Sequence, residues 1–401
     1  MATVRGARTT DLVSSSLIKR DVFEEIFNFK PYQTPLFQFL FASKSRKLAT
    51  GNPKFETQEN VLLQHTVTLS VAIAGGSATE SLTATTDYIY VKQFDNLLNP
   101  SNGEVYRVTS AVTNSTLAVT RWPSGNITAD TDAARVLINL GTIFAEKTTS
   151  AQALSTVGTF PLNYCQIFKH AVNMSGTQMA TENYGGSDWE NQRMMATEEI
   201  KLLIERAFAM GVQGLVTTSG AYVRGTGGLT DQTSGGMGIT NTSQFVGGSD
   251  GTGFCDETYF VETYLKNLFA KGSNRKTLYC SANALLGIGK FSFVKQQTRV
   301  AETEYGYNIT NFITPFGEAS LVYYPILEGT RSNWVIGVDK EDYMKYRFLS
   351  ANGTNRDLQY QKNIHTPDSD ERKDQYLAEV GFQLAGGGQG VHRLLTNGAA
   401  A

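Results

Sequence analysis

Apolar and polar positions change their period several times along this chain, and each change marks an element. Leu17, Val22, Ile26 and Phe27 fall near helical spacing until Pro31 stops the run. Thr34-Pro35-Leu36-Phe37-Gln38-Phe39-Leu40-Phe41 is strongly apolar; it reads as a core helix or strand, or as an arm laid on a neighbour. From Gly51 the pattern becomes extended. Val61, Leu63, His65, Val67, Leu69 and Val71 alternate, the period-two mark of a half-buried strand. Four shorter strands are predicted at 88–91, 105–108, 117–119 and 136–138, with turn-forming clusters at 99–103, 113–115 and 123–126. Short strands at such spacing predict a small barrel or sandwich. A second extended segment at about 144–160 then leads back. The simplest arrangement is a two-stranded arm with a β-domain at its tip; a free-standing β-domain followed by a linker is the alternative.

Residues 163–168 read as a strand that leads through Ser175-Gly176-Thr177 toward a long helix. Ser187-Asp188-Trp189-Glu190 has the form of a capping box, and no proline interrupts the run to Gly211. Trp189, Ala196, Ile200, Leu203, Ala207 and Met210 are assigned to the apolar face; Glu198, Lys201, Glu205 and Arg206 are assigned to the polar one. About 24 residues at ~1.5 Å each give a rod of about 36 Å. Beyond it, an amphipathic helix is predicted from Asp256 to about Lys271-Gly272, then a strand at 277–280 and a short helix at 283–291. Segments 307–313 and 319–324 read as a hairpin turning at 315–318, followed by a buried strand at 334–339. Segments 343–349 and 374–384 complete the pattern as strands that pair with each other.

Glycine is frequent, 38 of 401 residues, and concentrates at 217–255 in Gly225-Thr226-Gly227-Gly228, Gly235-Gly236-Met237-Gly238 and Gly247-Gly248. A phosphate-binding P-loop needs GxxxxGK[ST], and no lysine follows these glycines. Gly289-Lys290-Phe291 lacks both the first glycine and the hydroxyl residue, and no βαβ frame supports a dinucleotide fingerprint. A surface loop is expected instead. Lys plus Arg number 35 against 37 Asp plus Glu, so no concentrated basic face of the kind that grips a phosphate backbone is evident. The three cysteines, Cys165, Cys255 and Cys280, and the four histidines are scattered, without the spacing of a metal or redox site. The cysteines read as buried thiols in a reducing compartment. The first residues carry no apolar signal-peptide core, and no run nears the ~18 apolar residues of a membrane span.

Acidic pairs at Glu24-Glu25, Glu198-Glu199, Glu302/Glu304 and Glu341-Asp342 read as solvated faces. The run Asp368-Ser369-Asp370-Glu371-Arg372-Lys373-Asp374 lacks the glycine and final glutamate of a calcium loop and reads as an exposed turn. Neither GxSxG nor HExxH occurs. The residues give no reason to assign a catalytic site, a cofactor or a metal.

Three features together resemble the major capsid proteins of tailed phages, the Hong Kong 97 fold. They are Lys30-Pro31 with Thr34-Pro35-Leu36 before Phe55-Glu56, the long helix fed by an extended excursion, and the stretch from Gly306 to Gly317 with the strand ending Val338-Asp339. The matches cover most of the chain in patches. The resemblance implies an α+β chain with a small inserted all-β domain. Its parts would be an N-terminal arm at 1–50, an extended loop at 51–160 carrying a β-domain at about 72–142, and a peripheral domain at 161–255 with a spine helix at 187–210. An axial domain at 256–340 and a return to the peripheral domain at 341–401 would complete it. It implies a non-enzymatic subunit that self-assembles into hexamers and pentamers of an icosahedral head around double-stranded DNA. Assembly would take place in the host cytoplasm, with the product located in the virion. Expected partners are neighbouring capsomers, a portal protein, a scaffold protein as a separate or removed chain, and decoration proteins. DNA is enclosed without sequence-specific binding, and no membrane is involved. Candidate interface residues are Pro35, Leu36, Phe37, Phe39, Phe55, Glu56, Trp189 and Arg193. Some members cross-link through a Lys–Asn isopeptide bond; Lys54 and Lys147 lie near the extended segment, but nothing identifies a partner, and this chemistry is not assigned. The rival readings are an encapsulin-like compartment shell, which the inserted β-domain disfavours, and a phage tail or adhesin protein, which the capped helix disfavours.

Overall fold

The computed structural model describes residues 34–42, 44–60, 64–147, 152–155, 157–182, 187–233, 242–245, 254–291, 302–304, 307–339, 343–385 and 391–396. The helix expected at 17–27, the start of the strand expected from Val61, Glu24-Glu25, Glu341-Asp342 and the glycines at 235–238 and 247–248 lie outside them. The chain forms two compact units, one of residues 1–57 with 161–401, the other of residues 58–160.

In the first unit the long helix spans Asp188–Met210, 23 residues. The Ser187 hydroxyl accepts from the Glu190 amide at 3.4 Å, satisfying one of the free donors at the helix start. Its buried line runs through Trp189, Ala196, Ile200, Ile204 and Phe208, whereas Leu203 stays 38% exposed. This shifts the apolar stripe from the expected one, because Ile204 and Phe208 continue the four-residue step from Ile200. Glu205, expected in solvent, is fully buried.

That line packs on a sheet in which Lys47–Thr50, Met344–Ala351, Glu371–Leu384 and Gln166–Ser175 lie side by side, with Thr354–Asn355 and Gln359–Gln361 added. Ten consecutive pairs join Gln166–Ser175 antiparallel to residues 371–380. Phe208 meets Phe382 at 5.6 Å and Tyr346 at 5.9 Å between ring centroids, so aromatic faces knit helix to sheet. The helix Pro35–Ala42 joins the same core through Leu36, Phe37 and Leu40, so the apolar segment is helical and buried within its own chain. The aromatic side chains find apolar partners within their own chain, Phe37 against Tyr346 among them.

A second sheet runs in the order Thr242–Phe245, Val391–Thr396, Val335–Asp339, Arg275–Cys280, Gly317–Tyr323, Tyr307–Thr314 and Glu302–Glu304. The expected hairpin is present, turning at Pro315-Phe316. One boundary is corrected: Val391–Thr396 does not stay with the first sheet but inserts between Thr242–Phe245 and Val335–Asp339. The helix begun by Asp256, whose side chain accepts from the Tyr259 amide, includes a π-turn at Phe260–Leu265. Phe260, Tyr264, Leu265 and Leu268 are buried against this sheet.

The glycine-rich stretch is not one loop. Residues Gly214–Thr218 and Ala221–Gly225 form a hairpin, and Leu229–Thr233 is a short buried helix. A Cβ on Gly228 would meet the Ala207 and Phe208 carbonyls at 2.6 and 2.7 Å, so only glycine lets this segment close on the end of the long helix.

Among its described residues the second unit forms a six-stranded sheet in the order Thr66–Thr68, Val136–Thr142, Asp95–Leu98, Val105–Val108, Thr116–Trp122 and Thr79–Thr83. The two outermost strands meet again: the Thr85 amide donates to the Thr68 carbonyl and the Ser70 amide to the Thr83 carbonyl, each at 2.8 Å. The sheet thereby closes into a small barrel around Val67, Leu82, Leu97, Tyr106, Leu117 and Leu137. The strand expected at 88–91 is instead a 3₁₀ turn, Thr86–Tyr90, because Asp87 caps the Thr68 amide and no neighbouring strand pairs with it.

Candidate functional site

The expected interface residues divide by environment. Pro35, Leu36, Phe37, Phe55 and Trp189 are buried in the chain's own core and present almost no surface to a neighbour. Phe39 is half-buried with the Arg46 guanidinium 3.8 Å above its ring. Arg372 lies 4.4 Å over the Trp189 ring. Glu56 and Arg193 remain outside that core: Glu56 is exposed and pairs with Lys54 at 2.5 Å, and Arg193 faces the Tyr360 ring at 5.9 Å.

Glu205 and the pair Lys276 and Asp339 are ionisable groups within the core of the first unit. Glu205 accepts the amides of Leu36 at 3.0 Å and Phe37 at 2.5 Å, so its carboxylate caps the helix Pro35–Ala42 from 168 residues away. Burial pushes its carboxyl up to about 7, against the Tyr324 hydroxyl and the two amides, which favour the charged form. In the second sheet Lys276 and Asp339, both fully buried, face each other as cross-strand partners at 2.6 Å. Lys276 also donates to the Lys271 carbonyl, and Asp339 accepts from the Ser273 amide.

An open groove of about 500 Å³ runs along the long helix beside Gln166–Ser175, where His170 pairs with Glu199 at 2.8 Å. Among the described residues no group of three or more His, Cys, Asp or Glu could hold a metal ion. All three cysteines are free and buried; burial pushes the Cys165 and Cys255 thiols up to about 12, leaving them without thiolate character at neutral pH. The acidic run at 368–374 is only partly a turn: Glu371 opens a strand and Asp374 is buried, accepting from the Asn363 amide at 2.7 Å. The surface feature missed by sequence reading is the hairpin at 214–225, whose Ser219-Gly220 tip was readable as a turn dipeptide.

Among solved structures, the cyanophage A-1(L) capsid asymmetric unit is similar over 97% of this chain and 99% of its own, at 10% identity and a TM-score of 0.52. That likeness establishes a phage-capsid fold of mixed helices and sheets. The capsid of a native GTA particle aligns over 96% of this chain and 97% of its own, at 8% identity and a TM-score of 0.49. The SrpI encapsulin of Synechococcus elongatus PCC 7942 aligns over 61% of this chain and 78% of its own, at 8% identity and a TM-score of 0.41. The sequence has no significant match among curated proteins. The family model of the SU10 major capsid protein matches residues 5–387. The chain belongs to the SU10 major capsid protein family, and it is accordingly a structural, non-enzymatic subunit of a phage capsid.

Proposed function

We propose that the subunit builds an icosahedral head of hexamers and pentamers around double-stranded DNA, with the layout of the Hong Kong 97 fold. The family match over residues 5–387 carries this reading. In it, the long helix is the spine of a peripheral domain with the first sheet, and the second sheet is the axial domain that gathers at capsomer centres. The 58–160 unit is a β-domain inserted in the extended loop. Neighbouring subunits and capsomers, a portal protein, a scaffold protein and decoration proteins are its partners, and assembly takes place in the host cytoplasm. The near-neutral charge, formally −2, suits DNA that is contained rather than gripped. Permanent interfaces commonly bury roughly 2,000–5,000 Å², and a shell multiplies such contacts around each copy.

Negative-stain electron microscopy of the purified recombinant protein is expected to reveal closed shells or capsomer rings. A stable monodisperse monomer would overturn the proposal. Genomic neighbours encoding a portal and a large terminase subunit separate a phage head from a compartment shell.

The insertion reading makes a second prediction. Lys54–Glu56 pairs antiparallel with Leu162–Tyr164, and the Thr57 amide donates to the Pro161 carbonyl at 3.0 Å, so the first unit holds its own cut ends together. Replacing residues 58–160 by a short Gly/Ser linker should leave that unit folded, because closing so short a gap costs little entropy. Circular dichroism with a cooperative melt checks this; a product without a cooperative transition contradicts it.

A further inference from the structure

Among the described residues, the hairpin Gly214–Thr218 with Ala221–Gly225 is hydrogen-bonded into neither of the two main sheets. Its tip is rigid: Ser219 at φ 49° and Gly220 at φ 78° give the two left-handed residues of a type I′ turn, whose twist matches that of the strands. Among the described residues each strand pairs only with the other, which leaves both outer edges without a ladder partner, and a lone two-stranded hairpin is marginal in water.

Its side chains are equally uncovered. Leu215 and Tyr222 share one face with Arg224, whose guanidinium lies 5.8 Å from the Tyr222 ring, above a groove bordered by Lys54, Glu56 and Tyr164. The opposite face carries Val216 and Val223, paired directly across the strands. Val216 is 62%, Tyr222 65% and Val223 56% exposed, and Val212 just before the hairpin is 71% exposed. Arg224 is the only charge from 212 to 225. With Leu215, these apolar side chains expose on the order of 500 Å² in total, divided between the two faces of the hairpin rather than gathered in one patch.

We propose that this hairpin is an intersubunit contact, laid against a second copy of the chain in the shell. The area selects the occupant. It falls short of the ~800 Å² per partner that holds a standard pairwise complex, so it is stable only as one of several contacts formed together. A shell of identical subunits supplies those contacts at once; a lone soluble partner does not. The proposal rests on the self-assembly reading and adds to it the surface that carries part of the contact.

Hydrogen exchange on the wild-type protein tests it without any substitution. Amides of 214–225 should exchange fast in the free subunit and at least tenfold more slowly in assembled shells. In parallel, Val216→Asp with Val223→Asp should lower the assembled fraction at least tenfold while leaving the circular dichroism of the subunit unchanged. Val216→Thr with Val223→Thr, which keeps the β-branched shape, should fold and assemble with a smaller loss. Protection already present in the free subunit would mean that the chain's own residues cover the hairpin, and would overturn the proposal. So would fast exchange in shells that slows only when another virion protein is added, or a folded Asp variant that assembles like wild type. A wild-type chain that never assembles would instead bring down the self-assembly reading, and the hairpin contact with it.

Discussion

Replacing Lys276 by Met is expected to destabilise the subunit by about 3–5 kcal/mol, because it strands the buried Asp339 carboxylate. Both members of the pair are fully buried at 2.6 Å, so no water reaches the charge left behind. Asp339 would keep the Ser273 amide on one oxygen and the Ser273 hydroxyl on the other, but these hydrogen bonds supply no countercharge. Lys276→Met with Asp339→Leu should recover more than half of the loss, since a buried pair replaced by apolar groups is often close to neutral. Urea unfolding of the unassembled subunit measures both; a single variant within ~1 kcal/mol of wild type would contradict the buried pair.

Glu205→Ala is the second large effect, expected to cost about 2–4 kcal/mol through two buried amides, Leu36 and Phe37, left without an acceptor. The carboxyl also imposes a pH dependence whose sign follows from burial. Its folded pKa, about 7, lies above the ordinary 4.5, so the folded state holds the proton more tightly. The stability from this group is therefore complete below about pH 4.5 and is lost as pH rises through 7. One proton sets the limit on the slope, ~1.4 kcal/mol per pH unit. Glu205→Gln should flatten this part of the profile, and urea midpoints at pH 5, 6, 7 and 8 report it; an unchanged slope would rule out Glu205 as the source.

What was legible in the sequence was local. Ser187 before Asp188-Trp189-Glu190 marks a helix start by chemistry confined to four residues, and the helix begins there. Alternation at 105–108 and the turn at Pro315-Phe316 likewise belong to neighbours in the chain. What stayed hidden depends on distant partners. Glu205 looks like a solvated charge because the amides that bury it belong to Leu36 and Phe37. Tyr88, Ile89 and Tyr90 have strand-forming side chains but pair with no strand among the described residues. The candidate interface suffered from the same blindness. An apolar residue such as Leu36 or Trp189 suits a core and a contact equally, and only the fold assigns it to the core. In the glycine-rich stretch composition concealed period, so Val216 and Val223 were passed over although Ser219-Gly220 lay between their strands.

The pairing of Gln166–Ser175 with Glu371–Leu384 sets a schedule for the chain's birth. The earlier strand leaves the ribosome roughly 200 residues ahead of its partner, which at about 5–20 residues per second is a wait of roughly 10–40 s. Until then the long helix has no finished sheet to lie on, and Phe208 no Phe382 to meet. The first sheet is therefore completed only once Glu371–Leu384 has been made, and each strand that pairs with it waits until then with one edge unpaired.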